Sequence, residues 1–440
     1  MNWEKLYSNK RLASSSPVQT ESGRGDYIRD YDRVIFSSPF RKLQNKTQVF
    51  PLPGTFFVHN RLTHSLEVAS VGRSLGKLAG EKIAEKYKEA FSKASDDFYR
   101  FELSDVIQTA CLAHDIGNPP FGHFGEEAIR AFFEDFFSRN GDVGLNPQQI
   151  RDFTKFEGNA NAFRILTTLF VKAGLKLTYT TLASVVKYPA DSLQGFNKSC
   201  LATKKSGFMH SEAPYFREIT AELGIPEKEA GYARHPFVYL VEAADDICYR
   251  VIDLEDAFKL KVVNFREVLE LLLPLFDNSP LKSYLENKLE SIADEEQKLS
   301  LLRALLINHL TQLCAEAFLA HEDALLNGGL NHSLMDLLDE PLRRQLDQVT
   351  DFSVKRIYNH HSVIEKELAG HHVIYGLLED FANALLSPAS ERSKKVLRLL
   401  PVKVAPEDGF YINLQLIVDH ISQMTDDFAM DLYKKIRGIF

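Results

Sequence analysis

Two residues able to share one ion stand side by side in the segment 111-CLAHDIGNPPFGHFGEEAI-129. His114 and Asp115 fall at the C-terminal end of an apolar helical pattern, just before the breaker Gly117-Asn118-Pro119-Pro120. The alanines, leucine and cysteine ahead of them mark a buried helix, and an unpaired buried carboxylate is costly. A divalent cation satisfies both side chains at once. Adjacent residues point apart on a regular helix, but at a fraying helix end both converge on one ion. Standing alone, such a pair is more simply a capping aspartate beside a core histidine.

The pair does not stand alone. His64, in 58-VHNRLTHSLEVA-69, lies on the apolar face of its own helix, where a lone histidine is more often a satisfied core residue. The segment 239-YLVEAADDICYRVIDLEDA-257 should be core, yet it carries Glu242, Asp245, Asp246, Asp253, Glu255 and Asp256. Glu242, Asp245, Tyr249 and Asp253 follow one line at spacings of three and four. A solvated acidic face is the expectation for Glu255 and Asp256. It serves poorly for Asp245, flanked by Ala243, Ala244, Ile247 and Cys248. Two histidines and two aspartates from three helices make a mixed nitrogen and oxygen site. Such a set suits Mn²⁺, Fe²⁺, Ni²⁺ or Zn²⁺, and Mg²⁺ less well.

The elements that must position these groups read as helices. Residues 62–79 place His64, Val68, Val71, Leu75 and Leu78 on one face. A helix from Ser104, its expected N-cap, aligns Ile107, Ala110, Cys111 and His114. Another opens at Pro236, and amphipathic patterns follow at 264–276, 281–292, 296–327 and 365–386. Residues 139–149 and 190–214 read as loops or insertions, and 8–25 as a mobile arm or loop. Strand alternation is scarce, and there is no internal repeat. The fold class expected is all-α: an arm over 1–26, a catalytic core over 27–262 and a helical C-terminal region over 263–440.

The 440 residues include 45% hydrophobic and 25% charged ones, ordinary for a globular chain, with a formal net charge of -8. That balance argues against a nucleic-acid-coating surface. It does not exclude an anionic small substrate held by a few cations focused in one cleft, or by a metal ion. No apolar run of membrane-spanning length occurs, and Met1–Lys10 lack the features of a secretion signal. Cys111, Cys200, Cys248 and Cys314 are scattered without a CxxC pattern, so reduced thiols and a cytoplasmic location are expected.

The order His64, His114-Asp115, Asp245 resembles the HD superfamily of metal-dependent phosphohydrolases. Longer blocks narrow the resemblance to its deoxynucleoside triphosphate triphosphohydrolase branch, near the bacterial dGTPases. They are 36-FSSPFRKLQNKTQVFP-51, 61-RLTHSLEV-68, 114-HDIGNPPFGHFGEEAI-129, 157-EGNANAFRIL-166, 178-TYTTLASVVKYP-189, 235-HPFVYLVEAADDICY-249 and 424-MTDDFAMDLY-433. A bare H…HD…D match would say little, whereas these blocks are specific and occur in one order from about residue 27 onward.

The resemblance implies an HD-domain helical core that hydrolyses deoxynucleoside triphosphates, dGTP or several, to deoxynucleoside and tripolyphosphate. It makes His64, His114, Asp115 and Asp245 the ligands of a divalent ion, manganese, magnesium or another transition metal. It makes His123 and Glu126 the catalytic pair. Three residues apart at a helix start, they share a face, and a carboxylate on one imidazole nitrogen raises the basicity of the other. The residues alone leave open whether His123 acts as acid or base.

Arg61, one turn before His64, can reach a phosphate. By resemblance Lys187, Tyr188 and Lys205 hold the polyphosphate. Tyr249 stacks under the sugar and excludes a 2′-hydroxyl, while Asp253 and Gln48 bond the 3′-hydroxyl. Tyr358 and Glu367 serve the phosphate and base ends. The pairs His360-His361 and His371-His372 read as solvated helix residues. The resemblance also implies a homo-oligomer, tetramer or hexamer, with a nucleotide effector at a subunit interface or bound single-stranded DNA. Two other readings stand beside it: an HD phosphohydrolase acting on a monophosphate or cyclic nucleotide, and a silent nucleotide-binding regulator.

Overall fold

The computed structural model describes residues 1–12, 25–50, 58–168 and 174–439. Among these the chain is helical, and extended pairing is confined to isolated bridges such as Arg11 with Thr178. The helices used below are α1 (Asp26–Ile35), α2 (Arg61–Lys86), α3 (Leu103–Ala113), α4 (His123–Asn140), α5 (Gly158–Thr167) and α6 (Tyr179–Val185). They continue with α7 (Pro236–Lys259), α8 (Glu295–Ala320), α9 (Glu340–Ser353), α10 (His361–Leu386), α11 (Gly409–Ser422) and α12 (Asp426–Arg437). No described helix is long and apolar enough to cross a membrane.

α2 begins where Asn60 accepts from the Thr63 amide and the Thr63 hydroxyl accepts from the Asn60 amide, a reciprocal cap. Along one face it carries Gly72, Gly76 and Gly80. A Cβ at Gly72 would lie 2.4 Å from Cys111 Sγ, and one at Gly80 2.1 Å from the Tyr99 carbonyl oxygen. The glycines therefore let the helix that ends in His114 lie close against the helix that carries His64. The helix that ends in His114 does not start at Ser104. It runs back through a π-helical turn, Phe98–Glu102, into Lys93–Asp97, whose cap is Ser92 accepting from the Ser95 amide. A continuous apolar face outweighed the local capping signal.

Buried side chains form two cores. The first runs from Trp3 and Leu6 through α2, α3, α6, α7 and α8 to Ile357 and Val363. The second joins α4 and Phe153 to α10, α11 and Ala429 of α12. Packing thus does not follow a boundary at 262, because α10 to α12 build their core against α4. Nor are residues 1–12 an arm, since Trp3, Leu6 and Leu12 are buried and the Trp3 indole donates to Glu322 over 2.5 Å. Burying an indole and two leucines outweighs the chain entropy their polar neighbours suggest. Residues 13–24 of the expected arm lie outside the described residues. Within the stretches read as loops, Pro147–Thr154 is a helix with its own reciprocal cap at Asn146.

The two cores are locked by buried charge. Arg164 of α5 donates to both carboxylate oxygens of Asp419 in α11, at 2.9 and 2.8 Å, and to Glu212 at 2.6 Å. All three are nearly fully buried. Arg164→Met would strand two carboxylates in the interior. Breaking a buried pair this way costs about 3–5 kcal/mol, so the urea midpoint is expected to fall accordingly. A midpoint equal to wild type would show the triad to be dispensable.

Candidate metal and phosphate site

His64 stands on the fourth residue of α2, His114 and Asp115 just past the end of α3, and Asp245 in the middle of α7. The donor atoms of His64, His114 and Asp115 lie within 4.8 Å of one another. Asp245 joins them: its Oδ1 is 3.2 Å from His64 Nε2 and 3.5 Å from His114 Nε2. His114 Nδ1 donates to the Cys111 carbonyl over 2.6 Å, which fixes the tautomer and leaves Nε2 for a ligand. Asp115 is steadied by Arg61 Nη1 at 2.6 Å and by the Asn118 amide.

The electrostatics favour a cation at the centre. Burial would raise the Asp115 pKa, but Arg61 and the two imidazoles hold it down at about 2. Asp245 is half-buried, and although desolvation works against its charge, His114 and His64 hold it well below the carboxylate range. Burial opposes a charge on His114, yet Asp115 and Asp245 lift it to about 9. Two ionised carboxylates and two imidazole nitrogens meeting at one point are the donor set of a divalent transition ion, and these residues fit one.

The next group is built by a turn. Phe121 and Gly122 both have positive φ, +63° and +59°, and α4 starts directly after them with His123. A Cβ at Gly122 would lie 2.6 Å from the Arg61 guanidinium, so this position must approach the metal loop closely. Glu126 is buried and does not cap its own helix. Its Oε1 accepts from the Gly158 amide at 2.8 Å, and its Oε2 faces His123 Nδ1 at 3.5 Å. Burial works against its ionisation, but His123, Lys205 and the Gly158 amide hold its pKa below the usual value. The His123 ring is largely exposed, which leaves its other nitrogen open to the cleft.

One cavity of about 690 Å³ joins these groups. It contains every residue named from the sequence: the metal set, His123 and Glu126, Gln48, Arg61, Lys187, Tyr188, Lys205, Tyr249, Asp253, Tyr358 and Glu367. Its cations are already partnered. Lys187 sits 3.2 Å from Glu242, itself held by Arg234 at 2.8 Å, and Lys205 sits 2.8 Å from Glu157. Lys205 is kept charged despite burial, because Glu126 and Glu157 raise its pKa. The Tyr358 hydroxyl donates to Asp253 over 2.6 Å, and burial lifts the Asp253 carboxyl to about 7. Gln48 Oε1 is buried with no hydrogen-bond partner among the described residues.

Two expectations fail here. Glu255 and Asp256 are not a solvated face, being only 4% and 5% exposed. Asp256 accepts from the His59 amide and its ring, both at 2.8 Å, and Glu255 pairs with Arg303 and with Lys259. Lys259 lies one turn on in α7, but Arg303 and His59 come from outside the helix, and no spacing within α7 could reveal them. Sequence reading also passed over Asn118, Lys366 and Asp426. Lys366 lines the cavity and sits 3.1 Å from Asp426. Its neighbour Glu367 gave the only local signal. The four cysteines are free, as expected, with Cys200 alone partly exposed.

Comparison with known families and proteins bears on this geometry. Residues 61–164 match the HD domain, and residues 337–435 match the phosphohydrolase-associated domain. A deoxyguanosinetriphosphate triphosphohydrolase-like protein of Synechocystis sp. is 37% identical over the whole of both chains. One of the same description from Pseudomonas aeruginosa is 37% identical over all of this chain and 99% of its own. A deoxyguanosinetriphosphate triphosphohydrolase of Klebsiella pneumoniae is 30% identical over 98% of each.

Removing one donor tests the ion. Outer-shell substitutions alone weaken metal binding roughly 10–100-fold, so Asp245→Asn is expected to weaken Mn²⁺ binding by more than that. Titration calorimetry on the folded variant measures it. An unchanged affinity would take Asp245 out of the ligand set.

Proposed function

Because the chain belongs to the deoxyguanosinetriphosphate triphosphohydrolase-like family of HD-domain proteins, we propose that it hydrolyses deoxynucleoside triphosphates to deoxynucleoside and tripolyphosphate, and so controls their level. The substrate is dGTP or several dNTPs. One observation carries the reading. A four-donor metal set, a carboxylate-held histidine and three cations open into a single cavity large enough for a nucleotide.

A divalent ion, manganese, magnesium or a related metal, held by His64, His114, Asp115 and Asp245 would supply Lewis acidity at the α-phosphate. The chain's own residues do the rest. Arg61, Lys187, Tyr188 and Lys205 bind the phosphates, trading carboxylate partners for phosphoryl oxygens. Water adds to the α-phosphorus, the bond to the 5′-oxygen breaks, and the leaving oxygen takes up a proton. His123, whose Nδ1 faces the ionised Glu126, handles one of these protons, either accepting from the water or donating to the 5′-oxygen. Glu126 is held in turn by the Gly158 amide, so the imidazole keeps one orientation.

At the other end Tyr249 forms the floor under the sugar. Asp253 and Gln48 present hydrogen-bonding groups for the 3′-hydroxyl, while Tyr358, whose hydroxyl donates to Asp253, and Glu367 serve the phosphate and base ends. The Gln48 oxygen, buried and without a partner among the described residues, is the kind of group a ligand hydroxyl satisfies. Assembly into a tetramer or hexamer, with a nucleotide effector between subunits or bound single-stranded DNA, belongs to the same reading.

Incubation with each dNTP and Mn²⁺ is expected to release tripolyphosphate. Orthophosphate or pyrophosphate as the first product would favour an HD phosphohydrolase of another substrate class. His123→Ala is expected to fold and bind metal, yet to lose roughly 10²–10⁴-fold in turnover, the usual share of general acid-base catalysis. Near-normal turnover in that variant would dismiss His123. Tyr249→Ala, by emptying the floor under the sugar, is expected to narrow the preference for dGTP over GTP. An unchanged ratio of kcat/KM values would place the discrimination elsewhere.

A further inference from the structure

We infer that Asp426, far downstream of the metal ligands in the first turn of α12, is a positioning residue for His123. This rests on the reading above that His123 handles a proton. The Asp426 carboxylate is nearly fully buried, and both its oxygens are occupied. Oδ1 accepts from the Phe121 amide at 3.0 Å. Oδ2 accepts from the Thr47 amide at 3.1 Å and the Thr47 hydroxyl at 2.7 Å, with Lys366 Nζ at 3.1 Å. One carboxylate thus ties the residue before Gln48, the turn before His123 and the residue before Glu367.

The turn needs such a tie. Phe121 is an aromatic residue at φ +63°, in a region L-residues avoid, so the backbone there is strained. The strain persists only if the surroundings over-determine the conformation. Asp426 supplies that from the amide side. α10 supplies it from the ring side: a Cβ at Gly370 would lie 2.4 Å from the Phe121 ring. Lys46 adds a third hold, its buried amine donating to the Asn118 carbonyl at 2.6 Å and the Ser422 carbonyl at 2.7 Å. Every hold reaches into the C-terminal helices. His123 begins α4 two residues after Phe121, so its place over Glu126 is set by the chain's last quarter. Freed of Asp426, the turn relaxes towards negative φ and carries the imidazole off Glu126.

Two variants test this. Asp426→Asn keeps the shape and loses the charge. Gly370→Ala leaves every polar group intact and improves helix propensity, yet pushes the Phe121 ring. Displacing a catalytic group by about 1 Å can cost on the order of 10²-fold. Each variant is therefore expected to lower kcat about 10- to 100-fold, with KM within about threefold and Mn²⁺ affinity unchanged. In a His123→Ala background neither should lower the residual rate further. A merely structural role would lower that rate too.

Hydrogen exchange read by mass spectrometry gives an answer that needs no activity: the peptide containing Phe121 should exchange faster in Asp426→Asn, while α2 and α7 stay as protected as in wild type. Wild-type kcat in both variants, additive losses with His123→Ala, or unchanged exchange at Phe121 would overturn the inference. If the wild-type protein turned over no dNTP at all, the functional reading would fail instead, and the exchange result would still decide whether Asp426 holds the turn.

Discussion

Desolvation of two carboxylates governs this structure. Asp115 is buried and Asp245 half-buried among the helices of the larger core, where desolvation alone would raise the pKa of each. They stay ionised because Arg61 and two imidazoles converge on them from other helices. Remove those cations and the interior holds two unpaired negative charges; supply a divalent ion and the same arrangement becomes a ligand shell. His114 illustrates the balance. Its elevated pKa means that, without metal, a proton stands where part of the ion's charge would be.

That convergence dictates how the helices lie. His64 and His114 can meet, ring centroids 5.4 Å apart, only because α2 and α3 pack backbone-close along the glycine face of α2. The tautomer of His114 depends on the helix end that also frees Asp115 to turn inward. Around this centre runs a second layer of paired charge, with His59 on Asp256, Arg234 on Glu242, and Arg303 on Glu255. Burial opposes a charge on His59, yet Asp256 and Glu67 raise it to about 9. It acts as a fixed cation between the entrance to α2 and the far part of α7, tying together the two helices that carry His64 and Asp245.

What could be read from the chain beforehand follows the range of each interaction. The metal set was legible because each member contradicts its own surroundings: a charged or basic side chain in an apolar helix, at a spacing that faces the core. His123 and Glu126 were legible because they are three residues apart. Glu255 and Asp256 were misread because local spacing carries no trace of Arg303 or His59. Ser104 was misread because a good cap residue can also sit inside a longer helix. Trp3 and Leu6 were lost among polar neighbours, though a tryptophan near a chain start is itself a burial signal. Nothing near Asp426 in the chain marks its role, since the two amides it holds are more than 300 residues away.

The acidic balance of the whole protein, -8, and a polyanionic substrate are reconciled inside the cleft. None of the three cations proposed to bind phosphate stands alone: Arg61 is on Asp115, Lys187 on Glu242, Lys205 on Glu157. A ligand carrying one charge would gain little by displacing a buried carboxylate that already supplies good geometry. A triphosphate offers several oxygens at once, and it can engage all three cations while the carboxylates keep their other partners: Asn118 and His114 for Asp115, Arg234 for Glu242 and Arg130 for Glu157. Each displaced carboxylate therefore remains compensated, and the exchange does not strand a buried charge. Under the proposed function, selectivity for a polyphosphate over a monophosphate would then arise from the number of partners exchanged together, in a cleft whose resting state is already neutralised.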